Sequence, residues 1–148
     1  MDIAHHLTQN DRDAIDRALE TIGIADLSAA YVDALSGGER QKAYLAMTLA
    51  QDTRLLILDE PTTYMDMAYE QSFLTLLTTL RRRHKKTLLV VMHDLTQAVR
   101  HADRIAVMDG GRIVFCGTTQ ECLAAKILEQ AFSVRRHTDG SIIFFTAD

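Results

Sequence analysis

The sequence predicts an α/β fold in which a mostly parallel sheet is flanked by helices. Two apolar runs without alternation, Leu55–Leu58 and Leu88–Met92, are typical of strands that are buried on both faces of a parallel sheet. Segments with apolar residues at helical spacing precede and separate these runs. Toward the C-terminus, strand-like runs on either side of Asp109-Gly110-Gly111 and of Asp139-Gly140 predict two antiparallel hairpins.

Composition is that of an ordinary globular domain. Of the 148 residues, 47% are hydrophobic and 24% are charged, which suits one domain with a core. The net charge of −4 argues against nucleic acid as the main partner. Cys116 and Cys122 have no second pair of thiols for a metal, so we expect two reduced cysteines, with a disulfide as the less favoured alternative.

The chain carries no apolar run that could cross a bilayer. The longest, such as Leu88–Met92, are far below the ~20 residues that a spanning helix needs, so any membrane role is expected to come through a partner protein. The first six residues lack the basic-then-apolar pattern of a signal peptide, which favours the cytosol.

The first helix is predicted to begin with Asn10 as its cap, to run to about Glu20 and to end at Gly23. Its apolar residues indicate packing, and no chemistry is visible in it. A connection then leads to Leu35-Ser36-Gly37-Gly38-Glu39-Arg40-Gln41, ahead of the helical segment Ala43–Ala50.

This glycine-containing stretch is typical of an anion site. Gly37 and Gly38 would let a ligand approach bare backbone, and the first amides of a helix have no intrahelical partner. The helix dipole adds partial positive charge there, and Ser36 adds a hydroxyl donor, which together suit phosphate. An ordinary serine cap followed by a turn glycine is the alternative, and for Ser-Gly-Gly alone it is the better one.

Two adjacent carboxylates, Asp59 and Glu60, end the first apolar run, and Pro61 stops the strand. In open α/β sheets ligands gather at the carboxyl ends of strands. One carboxylate could hold Mg²⁺, usually through water, while the other acts on an attacking water as general base or positioning group. A solvated acidic turn is the alternative.

Asp66 could cap a helix running from about Met67 to Arg83. The basic run 81–86 that follows suits a helix C-terminus, an interpretation that the acidic net charge favours over an anionic partner. His93 ends the second apolar run, ahead of Asp94 as the predicted cap of a helix from Leu95. An imidazole there could contact a terminal phosphate and orient the water beside Glu60, although a lone histidine is more often structural.

Taken together, these motifs resemble those of ATP-binding-cassette ATPases, in that family's order and spacing. Leu-Ser-Gly-Gly-x-x-Gln resembles the signature motif, Leu55–Glu60 the Walker B strand with its catalytic glutamate, Asp66 the D-loop aspartate and His93 the switch histidine. The resemblance extends to about Glu121. Within the family, Asp-Glu-Pro-Thr-Thr-Tyr-Met-Asp-Met and Leu-Ala-Gln-Asp-Thr are most similar to ATP-binding subunits of iron–siderophore importers.

The resemblance implies a partial P-loop NTPase core of the RecA-like type and a set of site residues. Glu60 and His93 would be catalytic, Asp59 would hold Mg²⁺, and the cofactor ATP would be bound by Ser36, Gly37, Gly38, Gln41 and Asp66. The signature would complete the site of a second ATPase subunit, and transmembrane permease subunits would hold the protein at the inner face of the cell membrane.

One family element is absent from the sequence. A P-loop needs Gly-x-x-x-x-Gly-Lys-Ser/Thr, and none of the glycines at 23, 37, 38, 110, 111, 117 and 140 begins such a string. The resemblance therefore predicts a single truncated domain over residues 1–148, with the end of a helical subdomain in 1–52 and the C-terminal part of the core in 53–148, lacking roughly 100 residues.

Two expectations follow from this absence. The sheet should have a gap where the P-loop strand would lie, with low stability and a tendency to aggregate. The chain alone should bind MgATP weakly and hydrolyse it negligibly. Besides the siderophore importer subunit, two alternatives stay open: a non-transport cassette ATPase fragment, and a catalytically dead module that docks on an intact homologue.

Overall fold

Helices and strands alternate along the chain in the computed structural model, which describes residues 7–63, 65–139 and 142–147. The Cα positions group into two compact units, Met1–Val91 and Met92–Asp148. The predicted single domain with a subdivision after residue 52 stays a prediction. In the described part of the chain, no helix is both long and apolar enough to span a membrane.

The described part of the first unit contains three α-helices and two strands: α1 (Gln9–Ile22), α2 (Gly37–Ala50), β1 (Leu55–Asp59), α3 (Met67–Arg83) and β2 (Thr87–Val91). Two short 3-10 helices, Ala25–Leu27 and Val32–Ala34, lie between α1 and α2. Helices α1 and α2 pack together, and Ala18, Ile22, Leu45 and Ala46 are buried in them. Helix α3 buries Phe73, Leu74, Leu77 and Leu80 and contacts β2.

The cap predicted for α1 was wrong by two residues. Thr8, and not Asn10, precedes the helix: its hydroxyl oxygen accepts from the Asp11 amide at 3.2 Å, and the Asp11 carboxylate accepts from the Thr8 amide at 2.9 Å. This reciprocal capping box satisfies two amides at once, which a lone Asn10 cap would not do. Gly23 ends the helix with a φ of 76°, as predicted.

Strands β1 and β2 are parallel neighbours, with Ile57 opposite Leu89 and Asp59 opposite Val91. The prediction that both faces of these strands are buried was wrong. Leu56 is 1% exposed, but Ile57 is 62% exposed, because side chains alternate between the two faces and only one face is covered. The open face carries four large apolar side chains: Leu55, Ile57, Leu89 and Val91.

The second unit consists of α4 (Leu95–His101), β3 (Arg104–Asp109), β4 (Arg112–Thr118), α5 (Thr119–Ala124), α6 (Ile127–Phe132), β5 (Val134–Asp139) and β6 (Ile142–Ala147). Its core is a cluster of four buried residues: Ile105, Val107, Cys122 and Leu128. Both cysteines are free; Cys116 is exposed, and burial raises the pKa of the Cys122 thiol.

The described strands form three two-stranded sheets, of which β1–β2 is parallel and β3–β4 and β5–β6 are antiparallel. The two predicted hairpins are therefore confirmed, although the turn residues Gly140 and Ser141 lie outside the described part. Only one of the three described pairs is parallel, so the described strands do not form the mostly parallel sheet that the sequence predicts, and the expected gap stays a prediction.

Candidate functional site

The turn before α2 forms a complete capping box. The Ser36 hydroxyl oxygen accepts from the Glu39 amide at 3.4 Å, while the Glu39 carboxylate accepts from the Ser36 amide at 2.9 Å and from the Ser36 hydroxyl at 2.5 Å. The Ser36 hydroxyl, followed by the Ser36 amide, holds the pKa of the Glu39 carboxyl below its ordinary value. Ser36 thus acts as a helix cap here, and a ligand oxygen would have to replace Glu39 as the partner of its hydroxyl.

The two glycines of this turn have different surroundings. No atom lies within 4 Å of the point where a Cβ on Gly37 would stand, so its backbone is open to a ligand. A Cβ on Gly38 would instead collide with the ring of Tyr69, at 2.6 Å from Cε1 and 3.1 Å from Cγ. A side chain at position 38 would therefore have no room, because the Tyr69 ring of the same unit occupies the place of its Cβ.

Helix α2 carries two more polar residues in its first turns. The Arg40 guanidinium donates to the carbonyl oxygens of Asp33 and Leu35, both at 3.3 Å, and so ties the preceding loop to the helix. Gln41 is half-buried, and Lys42 Nζ lies 5.8 Å from the centroid of the Tyr69 ring. The predicted nucleotide-binding role of Gln41 stays a prediction.

Asp59 and Glu60 lie at the carboxyl end of β1, and both are exposed. Glu60 has a φ of 41°, a left-handed conformation that costs a non-glycine residue about 1–2 kcal/mol. Its amide donates to the Val91 carbonyl at 3.1 Å, and its carboxylate accepts from the Thr63 hydroxyl at 3.1 Å. Asp52, Lys85, Lys126 and Ser133 also have a positive φ, so Glu60 is a candidate because this conformation occurs at the carboxyl end of a parallel strand, where ligands gather.

Asp66 caps α3, as predicted, because its carboxylate accepts from the Tyr69 amide at 2.9 Å. The ring of the same tyrosine covers Gly38. One residue therefore contacts two of the predicted site motifs, the turn before α2 and the turn before α3. Sequence reasoning missed Tyr69, since neither spacing nor composition signals that a side chain on α3 reaches the start of α2.

His93 belongs to the second unit, where it is exposed and stands just before Asp94. Asp94 caps α4 as predicted, accepting from the Gln97 amide at 3.0 Å. Since Glu60 lies in the first unit, the predicted approach of His93 to Glu60 stays a prediction.

The described residues contain no group of three or more side chains that could hold a metal ion by themselves. Mg²⁺ does not require such a group, because it binds through one or two carboxylates and takes its other ligands from water and substrate phosphates. The exposed carboxylate of Asp59 fits that mode of binding. The amides and lysine that would cradle the phosphates are not in this sequence.

A cavity of about 260 Å³ in the first unit contains none of these residues. Charged groups of both signs line it, among them Arg17, Glu20, Asp52 and Lys86. Lys86 and Asp52 form an ion pair there at 2.9 Å, and Lys86, by its hydrogen bond and its charge, lowers the pKa of the Asp52 carboxyl. We attach no chemistry to this cavity.

Comparison with known proteins points to a single family. A family model described as ABC transporter matches residues 2–63. The chain is 40% identical over 127 residues to the ferric enterobactin transport ATP-binding protein of Escherichia coli, covering 86% of this chain and 47% of that protein. It is 41% identical over 128 residues to the iron(3+)-hydroxamate import ATP-binding protein of Bacillus subtilis, covering 86% of this chain and 48% of that protein.

The fold has close counterparts among solved structures. A chain from an ABC transporter in an inward-facing conformation superposes with a TM-score of 0.83 at 23% identity, covering 98% of this chain and 59% of that one. The predicted P-loop NTPase fold class is therefore confirmed. The chain spans about half the length of the curated relatives that it matches.

Proposed function

Because this chain belongs to the ABC transporter ATPase family, we propose that it is part of an ATP-binding and ATP-hydrolysing subunit that energises import through a membrane permease. The solute class that we propose is iron–siderophore complexes, since relatives similar to the chain carry out ferric enterobactin transport and iron(3+)-hydroxamate import. The protein would lie at the cytoplasmic face of the membrane, held there by the permease subunits.

The observation that carries this proposal is the pair of exposed carboxylates, Asp59 and Glu60, at the carboxyl end of β1. Glu60 keeps a φ of 41° although glycine would be cheaper there, and the Thr63 hydroxyl orients its carboxylate. Asp52, Lys85, Lys126 and Ser133 also have a positive φ, so the support comes from the place of Glu60 beside Asp59 rather than from its backbone conformation alone. The arrangement supports a role for Glu60 as the group that orients the attacking water and accepts its proton.

The other proposed roles follow from the motif resemblance, and the chemistry of the residues is compatible with them. Asp59 would hold Mg²⁺, which when bound neutralises charge on the nucleotide phosphates. His93 would contact the terminal phosphate through its imidazole. Ser36, Gly37, Gly38, Gln41 and Asp66 would bind ATP at the interface with a second ATPase subunit, through backbone amides and polar side chains.

We further propose that the isolated chain hydrolyses ATP negligibly, because no phosphate cradle is present in its sequence. The turn before α2 could still serve the nucleotide of a partner that supplies a P-loop. The absence of the P-loop string also favours a second candidate function, that of a catalytically inactive module that docks on an intact homologue.

The test mixes the chain with an intact relative that has a P-loop but whose own signature serine has been replaced. We expect MgATP hydrolysis to rise at least tenfold over the sum of the separate proteins. Ser36→Ala and Gly37→Asp should abolish the increase, whereas Glu60→Gln should leave it intact, because Glu60 would act on the other nucleotide site.

Each of the other outcomes has a distinct meaning. Binding of the relative in a pull-down without any increase in hydrolysis would favour the docking module. Rapid hydrolysis by the chain alone, abolished by Glu60→Gln, would contradict the proposed dependence on a partner's P-loop.

A further inference from the structure

We propose that Tyr69 is a positioning residue that holds the turn before α2 against the turn before α3, so that Ser36–Gly38 and Asp66 keep a fixed relative geometry. The inference rests on the proposed function in one respect: the turn before α2 is taken to serve a nucleotide bound by a partner. The packing itself is independent of that premise.

The first support is the contact between the Tyr69 ring and Gly38. Any Cβ at position 38 would overlap the ring, whereas a Cβ at position 37 would meet nothing within 4 Å. Gly38 is in the first turn of α2, where alanine is ordinarily the better helix former by about 0.5–1 kcal/mol. The presence of glycine at position 38, despite its lower helix propensity, is explained by the Tyr69 ring, which packs where a Cβ would stand.

The second support is Lys42, one helical turn after Gly38. Residues four apart lie on the same helix face, so Gly38 and Lys42 together flank the ring. Lys42 Nζ is 5.8 Å from the ring centroid, within the range in which an ammonium group is attracted to an aromatic face. Helix α2 therefore contacts Tyr69 both through bare backbone and through a cation.

The third support is the backbone of Tyr69 itself. Its amide donates to Asp66, which caps α3, so the position of the ring and the conformation of the Asp66 turn depend on the same residue. Tyr69 is 38% exposed, whereas Phe73, one turn later on α3, is 1% exposed. Phe73 is thus part of the core, and loss of the Tyr69 ring should alter geometry more than it alters stability.

The contact can be tested in the 148-residue chain with a spectrum of its seven glycines after selective labelling. A ring stacked on Gly38 should shift its α-proton signals upfield, while Gly37 serves as the internal reference. The shift should persist in Tyr69→Phe, which keeps the ring, and vanish in Tyr69→Leu. A Gly38 signal that is the same in all three proteins would overturn the contact.

A thermal-stability cycle gives a second readout with a matched control. Gly38→Ala should lower the melting temperature by about 3–8 °C because of the clash, whereas Gly37→Ala should leave it unchanged or raise it. In the Tyr69→Leu background the sign should reverse, and Gly38→Ala should raise the melting temperature by about 1–3 °C. Equal effects of Gly38→Ala in both backgrounds would refute the proposal.

The functional arm uses the mixture with the signature-deficient relative and MgATP. Tyr69→Phe should retain the rise in hydrolysis, and Tyr69→Leu should reduce kcat about tenfold with little change in KM for ATP, because a positioning residue acts on the geometry of the turn and not on nucleotide affinity. An unaltered kcat in Tyr69→Leu would overturn the positioning role. No rise with the unsubstituted chain would overturn the proposed function, and the glycine spectrum would still decide whether the ring holds Gly38.

Discussion

The open face of the parallel pair β1–β2 and the core side of the hairpin β3–β4 differ in how far they bury apolar side chains, although the hairpin also exposes Met108, Ile113 and Val114. On β1–β2, Ile57 and Leu89 are 62% and 52% exposed. On the hairpin, Ile105 and Val107 are at most 9% exposed and pack with Cys122 and Leu128 from α5 and α6. The hairpin is completed by elements that follow it closely in sequence, whereas a parallel pair depends on layers from elsewhere in the chain.

The largest expected loss of stability comes from truncating a buried side chain in the core of the second unit. Leu128→Ala should destabilise the protein by about 3 kcal/mol, because Leu128 is 2% exposed and its removal leaves a cavity. Leu89→Ala, the same substitution on the open face, should cost less than about 1 kcal/mol. Urea unfolding of both variants measures the difference, and equal losses would contradict the contrast between the two regions.

The exposed apolar face of β1–β2 should affect self-association of the chain more than it affects the free energy of unfolding. Ile57→Thr combined with Leu89→Thr should change the free energy of unfolding by less than about 1 kcal/mol, since both side chains are already largely exposed. The double variant should nevertheless stay monomeric at concentrations where the unsubstituted chain scatters light. Leu55→Thr offers a single-site control on the same face. Unchanged scattering in the double variant would show that association uses another surface.

Substitutions in two turns should have a smaller effect on stability: the turn that follows β1 and the turn that joins β3 to β4. Glu60 ends β1 with a φ of 41°, whereas the β3–β4 turn places glycines at 53° and 75°. Glu60→Gly should therefore stabilise the chain by up to about 1 kcal/mol. Gly111→Ala should destabilise it by about 1 kcal/mol, and since no atom lies within 4 Å of a Cβ there, only backbone conformation is tested. A destabilised Glu60→Gly variant would argue against strain at this residue.

The smallest expected effect is on the pH dependence of stability. Here one capping carboxylate in each unit, Glu39 and Glu121, should behave in the same way. Hydrogen bonds from Ser36 and from Thr118 lower the pKa of the Glu39 and Glu121 carboxyls below the ordinary value of 4.5. Each carboxylate then contributes stability that is present above about pH 4.5 and is lost as the pH falls through the lowered pKa. Glu39→Gln and Glu121→Gln should reduce stability at pH 7 and converge on the unsubstituted chain in acid. Melting curves at several pH values test this, and a constant difference would contradict it.

Local signals in the sequence predicted most of the secondary structure. The bounds Met67–Arg83 and the caps Asp66 and Asp94 are confirmed, because a cap and its helix lie within a few residues of each other. Both hairpins are confirmed for the same reason. Thr8 was missed because Asn10 is also a good cap in isolation, and the reciprocal bond from Asp11 decides between them.

Features that depend on distant residues could not be predicted in this way. The apolar runs of β1 and β2 indicate burial, but which face is covered depends on other layers of the fold. The glycine pair indicated an open backbone, yet the space above Gly38 is filled by a side chain that lies two elements later. The roles of the site residues came from motif resemblance, and the geometry added the strain at Glu60 and the connection through Tyr69.

The different surroundings of the two cysteines have a practical consequence. Cys116 is exposed on β4, while Cys122 is buried and its pKa is raised, so a thiol-reactive dye should modify the former first. The natural sequence therefore provides a single attachment point for a fluorophore or spin label. Binding of a partner subunit could be followed from that point without substituting any residue.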